Sequence, residues 1–201
     1  MIGILDYGLG NVSAFENCFR RFNQNLLRVT SPGTQGIKAL IIPGVGHFDD
    51  AARRLDPKLR CDLTAFVASG GWLLGVCIGM QLLMDDSEEG ELRGLGFISG
   101  SVRQMAKPEF DCLPHLGWNS VVSLPKERAF AGSSGREFYF MHSYICCPSD
   151  DRNVKALANN GKDFAAIIQS GRVVGMQFHP EKSHGAGLSI LQNFYSMVVE
   201  S

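Results

Sequence analysis

The sequence predicts an α/β fold with a largely parallel central sheet and an antiparallel extension, and three observations support this. Short apolar runs alternate with helix-spaced apolar patterns in the first half, the order expected when helices wrap a parallel sheet. Closely spaced strand patterns fill the second half, separated by turn signals such as Asn159-Asn160-Gly161 and Ser170-Gly171, which suggests antiparallel hairpins. At 201 residues, 45% hydrophobic and 19% charged, the chain can bury a sizeable core and reads as globular. There is no internal repeat, low-complexity tract or linker, so one domain over residues 1–201 is the simplest organisation.

Ile2-Gly3-Ile4-Leu5-Asp6 is a short apolar run and reads as a buried strand. Tyr7-Gly8-Leu9-Gly10 is a turn. Asn11 or Ser13 suits the cap of a helix whose apolar face is Val12, Phe15, Cys18, Phe19 and Phe22. Leu26 to Thr30 and Lys38 to Ile42 are strands, parted by the turn Ser31-Pro32-Gly33. The second runs into Pro43-Gly44-Val45-Gly46. Asp49 to Leu55 and Lys58 to Ala68 are helical, separated at Pro57. Trp72 to Val76 is a fourth strand and Ile78 to Met84 a helix. Asp85 to Gly96 is acidic and contains glycine, which points to a loop. Phe97 to Met105, Glu137 to Cys147, Val154 to Ala158, Phe164 to Gln169 and Arg172 to Phe178 read as strands, and Gly187 to Val199 as a closing helix. Pro114-His115-Leu116-Gly117-Trp118-Asn119 fits no simple pattern.

Composition excludes several function classes. A net charge of −1 with no long run of one sign gives no electrostatic reason to expect nucleic acid or an anionic membrane as partner. No apolar stretch approaches the length of a bilayer span. Met1 leads straight into the first strand with no signal peptide, so a cytoplasmic location is expected. The six cysteines are irregularly spaced and Cys146 adjoins Cys147, which fits free thiols in a reducing compartment. There is no C-x-x-C pair, and Gly8-x-Gly10 lacks the third glycine of a dinucleotide loop; neither a metal nor an organic cofactor is expected.

Chemistry enters at Gly75-Val76-Cys77-Ile78-Gly79. A cysteine between two glycines, where a strand gives way to a helix, has the form of a nucleophile elbow: the sharp turn pushes one side chain out above the sheet. The plainer alternative is a small buried cysteine at a strand end. A thiol nucleophile needs a nearby base or a helix N-terminus to favour its thiolate. Of the five histidines, His179 fits best. It ends a strand and precedes Pro180 and Glu181; in an extended chain, residues two apart share a side, so Glu181 can orient His179. His142, inside Phe138 to Ile145, suits a structural role or substrate contact equally. His115 suits a surface patch or the core, and His47 and His184 have no clear role. Acyl transfer also needs oxyanion donors. Backbone N–H groups of Gly44-Val45-Gly46 could converge with that of Ile78 if the two strands are neighbours.

Gly75-Val76-Cys77-Ile78-Gly79-Met80-Gln81 resembles the nucleophile segment of class I glutamine amidotransferases, and Gln177-Phe178-His179-Pro180-Glu181 resembles their His/Glu segment. Within that class, Pro43-Gly44-Val45-Gly46, Pro114 to Asn119 and Phe138-Tyr139-Phe140-Met141-His142-Ser143-Tyr144 are similar to the glutaminase subunit of imidazole glycerol phosphate synthase. The resemblance covers essentially the whole chain and implies the three-layer fold of that class. It implies that Cys77, His179 and Glu181 are catalytic, that Gly44, Val45 and Ile78 hold the oxyanion, and that Gly46, Gln81, His142, Ser143 and Tyr144 bind L-glutamine. It further implies a heterodimer with a (β/α)8-barrel synthase subunit that receives the ammonia, docked on Asn11, Trp118, Asn119, Tyr139 and Lys182. Asn11-Val12-Ser13-Ala14-Phe15-Glu16-Asn17 and Glu181-Lys182-Ser183-His184 look closer to a paralogous group thought to supply ammonia for acetamidino-sugar formation in surface polysaccharide. Readings from other classes are a stand-alone Cys hydrolase or peptidase, and a binding module with a degenerate site. Gln81 with His-Pro-Glu suits glutamine better than a peptide, and an intact Cys77, His179 and Glu181 argues against the module. The pyridoxal phosphate synthase glutaminase fits less well, because Pro43-Gly44-Val45-Gly46 does not resemble its Gly-Gly-Glu-Ser stretch.

Overall fold

In the computed structural model the described residues are 1–33, 36–124 and 128–200. β1 (Ile2–Leu5) is buried along its whole length, as a strand covered on both faces must be. α1 (Val12–Arg20) starts at Asn11, whose side-chain oxygen accepts the Ala14 N–H at 3.1 Å. β2 (Leu26–Val29) and β3 (Ala39–Ile42) flank β1 in parallel. α2 (Phe48–Arg54) and α3 (Pro57–Ala68) follow; Asp56 caps α3 and Pro57 opens it, where a missing N–H costs nothing. β4 (Trp72–Val76) pairs in parallel with β3 and feeds α4 (Ile78–Gln81). The helix expected to reach Met84 stops at Gln81. Leu83 and Met84 donate to carbonyls three residues back, so the chain tightens into turns.

The second half departs more from its sequence pattern. β5 (Asp86–Ser87) lies inside the expected acidic loop, and β6 (Gly100–Gln104) is shorter than the predicted strand. The unpatterned Pro114 stretch turns out to enter a strand, β7 (His115–Ser123). Leu116, Trp118 and Val122 face solvent while His115 is buried, which inverts the usual alternation and hides the strand. The single strand expected from Glu137 to Cys147 is two: β8 (Arg136–His142) and β9 (Tyr144–Pro148). They break at Ser143 because β8 pairs with β7 and β9 with β6, in different sheets. β10 (Val154–Asn160), β11 (Lys162–Ser170) and β12 (Val173–Met176) are joined antiparallel in sequence, as expected. α5 (His184–Val199) closes the chain.

The strand order is β2-β1-β3-β4-β12-β11-β10-β7-β8 in the large sheet and β5-β6-β9 in the small one. Alternate side chains build two cores. Ile2, Ile4, Leu74 and Val76 meet Phe15 and Phe19 of α1 and Phe194 of α5 on one face. Leu5, Leu40 and Leu73 meet Phe48 of α2 and Leu59 and Leu63 of α3 on the other. Each of the fully buried phenylalanines contributes about 2–3 kcal/mol by leaving water. Three layers result, and β4 is held between β3 and β12, with all three strands parallel. Their C-terminal ends therefore open side by side, the usual place for a site in a parallel sheet.

Candidate active site

Cys77 follows β4 directly, with φ 54° and ψ −111°, a backbone state L-residues rarely hold. The strain sits on the cysteine itself. The glycines on either side serve clearance: a Cβ on Gly75 would strike the Gly79 carbonyl, and one on Gly79 would strike the Ile42 carbonyl of β3. Close packing of α4 against β3 and β4 thus dictates both glycines. The Cys77 N–H donates to Met176 O at 2.8 Å, tying the elbow to the end of β12.

His179 lies three residues past β12, so its place beside Cys77 follows from the β4–β12 register, in which Val76 is paired with Met176. Its N–H donates to Tyr139 O of β8 at 2.8 Å, which fixes the ring from the other side. Glu181 reaches His179 by a route the sequence did not suggest. Pro180–Lys182 is a 3-10 turn and not an extended segment; Lys182 N–H bonds His179 O, and Ser183 Oγ donates to the same carbonyl at 2.6 Å. The turn carries Glu181 Oε1 to 2.8 Å from His179 Nδ1, and both side chains are almost fully buried.

Burial alone would depress the His179 pKa, but the Cys77 thiol and the Glu181 carboxylate outweigh it and hold the pKa up at about 9. Nε2 of His179 is buried with no hydrogen-bond partner, and the Cys77 sulfur donates instead to Met141 O at 3.8 Å. Glu181 holds the Nδ1 side, so the other ring nitrogen remains available to the thiol.

A cavity of about 280 Å³ opens beside the sulfur. Val45, Gly46, Ile78, Gln81, His142, Ser143 and Tyr144, all singled out by sequence, line it together with Cys77. Gly44 does not; it lies behind, where a Cβ would come within 3.0 Å of Ile78 Cβ and 3.1 Å of the Tyr7 hydroxyl oxygen. Tyr7 donates that hydroxyl to Pro43 O at 2.8 Å, anchoring the β3 loop next to the elbow. Gln81 Nε2 donates to Tyr144 O at 3.4 Å, while its Oε1 is buried without a partner. Sequence reasoning missed Glu89, whose carboxylate also lines the cavity and accepts the Phe48 N–H at 2.7 Å. It follows β5, in the acidic stretch whose composition points to a loop.

A second cavity of about 560 Å³ shares Val45 and Met141 with the first and is bordered by Asn11, Glu181 and Lys182. Trp118, Tyr139, Lys182 and His184 make an outer cluster. Trp118 is 45% exposed, stacks on His184 at 5.1 Å and meets Tyr139 edge-on at 5.9 Å; Lys182 lies over the Tyr139 ring. Asn119 is half-buried and turns its amide inward, to Asn159 O and His115.

The arrangement is suited to acyl transfer through a thiol. The family model for glutamine amidotransferase class-I matches residues 4–198. The chain is a class I glutamine amidotransferase. Among curated relatives of this amidotransferase, imidazole glycerol phosphate synthase subunit HisH of Bdellovibrio bacteriovorus is 40% identical over 96% of this chain and 98% of its own. The subunit of the same name from Prochlorococcus marinus is 36% identical over 96% and 92%. Among solved structures, PurLQS from Thermotoga maritima is similar to the amidotransferase at a TM-score of 0.77, covering 98% of both chains at 18% identity, which shows the shared fold. Among its described residues no helix is long and apolar enough to cross a membrane.

Proposed function

We propose that this chain is the glutaminase subunit of imidazole glycerol phosphate synthase. In this reading it forms a cytoplasmic heterodimer with a (β/α)8-barrel synthase subunit whose lyase reaction consumes the ammonia. The observation that carries the chemistry is Cys77 on a strained elbow next to a buried His179–Glu181 pair, at the rim of one cavity. The acceptor rests on the names of the relatives.

Cys77 Sγ attacks the side-chain amide carbon of glutamine with its proton held on His179. Backbone N–H groups at Val45 and Ile78, with Gly44 setting the loop, receive the developing oxyanion. The carbon–nitrogen bond breaks, and His179 returns the proton to the departing ammonia. Water then cleaves the thioester to glutamate. Glu181 keeps His179 in the orientation that serves both transfers. Gln81 and the Ser143–Tyr144 backbone hold the substrate, and Glu89 meets its ammonium group. Ammonia leaves through the second cavity, past Asn11 and Lys182, towards a partner docked on the Trp118 cluster.

The test is glutamine hydrolysis by the chain alone, with the histidine-pathway cyclase, and with an acetamido-sugar synthase. Hydrolysis should rise sharply with the cyclase and vanish in Cys77→Ala. Stimulation by the sugar synthase alone would move the acceptor. Peptide cleavage without glutamine hydrolysis would overturn the chemistry.

A further inference from the structure

His115 and His142 face each other across β7 and β8 as a register pair, both buried, with Nδ1 of His115 3.0 Å from Nε2 of His142. Each ring has a second partner. Asn119 Nδ2 lies 3.0 Å from His115 Nε2, and His142 Nδ1 lies 2.9 Å from Tyr144 O. Residues four apart on a straight strand are about 13 Å apart. Gly117 lies between them with φ 129°, outside the range of a regular strand, and the two side chains meet.

The direction of every hydrogen bond in this chain is determined from both ends. Asn119 Nδ2 also lies 2.7 Å from Asn159 O, a carbonyl that only accepts, so the amide nitrogen is correctly placed and its other hydrogen points at His115 Nε2. His115 Nε2 therefore accepts, and a neutral ring carries its proton on Nδ1 and donates to His142 Nε2. His142 in turn carries its proton on Nδ1 and donates to Tyr144 O. Starting from Tyr144 O, which also only accepts, gives the same tautomers. Tyr144 O takes the Gln81 amide as well, and His142, Ser143, Tyr144 and Gln81 all line the cavity beside Cys77.

We propose that Asn119, His115 and His142 form a one-way hydrogen-bond relay that holds the Ser143–Tyr144 rim of the pocket, making Asn119 and His115 positioning residues for glutamine. The proposal rests on the glutaminase reading only for the identity of the substrate. Both rings are neutral at physiological pH: burial pushes His115 down, and burial with the neighbouring His115 takes His142 down to about 3. Facing the pair are Asn119 on β7, Phe140 on β8, Phe164 on β11 and the Asn159 carbonyl on β10, with His179 acting on His142. Among the described residues, no carboxylate is hydrogen-bonded to either ring. The outer end of the relay is one residue from exposed Trp118, so it joins that surface to the pocket wall.

The test is a reversal of the relay's polarity. In Asn119→Asp the carboxylate only accepts, so His115 must donate from Nε2. It can still donate from Nδ1 only as an imidazolium. The variant's glutamine KM, taken as a ratio to the unsubstituted protein in the complete heterodimer, should stay near one at low pH and climb about tenfold as His115 loses its proton. Asn119→Leu, which lacks any donor, should raise the ratio evenly across pH. Nitrogen-15 NMR of the histidine rings in the unsubstituted chain should show both rings as Nδ1–H tautomers from about pH 6 to 8. An Nε2–H tautomer in either ring, or a pH-independent KM ratio in Asn119→Asp, overturns the relay. The tautomers are read without substrate, so the relay is decided even if glutamine is not hydrolysed.

Discussion

The N–H of Cys77 donates to the carbonyl of Met176 at 2.8 Å, and this bond places the thiol three residues from His179 across two parallel strands. The pair is thus set by strand register and not by loop flexibility. Changes that leave the β4–β12 ladder intact should separate chemistry from folding.

Cys77→Gly is the sharpest of these. Glycine adopts φ 54° freely, while cysteine there carries strain of about 1–3 kcal/mol. The extra freedom of an unfolded glycine returns roughly 0.4–1 kcal/mol of that. Above about pH 9, where the His179 contribution supported by Cys77 has faded, the variant should unfold at a urea midpoint equal to or above that of the unsubstituted chain, and it should hydrolyse no glutamine at any pH. A marked fall in the midpoint would show that the elbow is not strained.

Stability should depend on pH through His179. Its pKa, about 9, is raised from 6.5, so the folded state holds the proton more tightly than the unfolded chain. That contribution is complete below about pH 6.5, fades as the pH rises through about 9, and is on the order of 2–3 kcal/mol. Urea midpoints should therefore decline over this window. In Glu181→Gln, where the carboxylate no longer supports the imidazolium, the decline should be shallower; an unchanged slope would rule out this pair as its source.

Glu89→Gln keeps an oxygen to accept the Phe48 N–H but removes the charge beside the pocket. If Glu89 meets the substrate ammonium, KM for glutamine should rise about tenfold or more with kcat little changed, the pattern of a lost ground-state contact. Equal losses in kcat and kcat/KM would assign it a different part in the reaction.

Trp118 is 45% exposed, and its ring meets those of His184 and Tyr139. Trp118→Ala should shift stability by less than about 0.5–1 kcal/mol. As an aromatic anchor it should weaken synthase binding by at least about tenfold, measured by titration calorimetry. Undiminished binding would move the docking face elsewhere.

The sequence by itself determined the local parts. Gly75 to Gly79 marked an elbow, His179-Pro180-Glu181 a base with its acid, and apolar runs of four or five residues the parallel strands β1, β3 and β4. These were legible because each depends on steric or hydrophobic rules acting within a few residues. Only the tertiary structure decided that β12 lies against β4 and brings His179 to Cys77, since strand order is set by pairing between distant segments. The same holds for the break at Ser143, which arises because β8 and β9 answer to different sheets, and for Glu89, turned inward from an acidic stretch that read as loop. The route of Glu181 to His179 also belonged to the structure: a proline after His179 favours an extended chain, whereas hydrogen bonds to the His179 carbonyl wind it into a 3-10 turn.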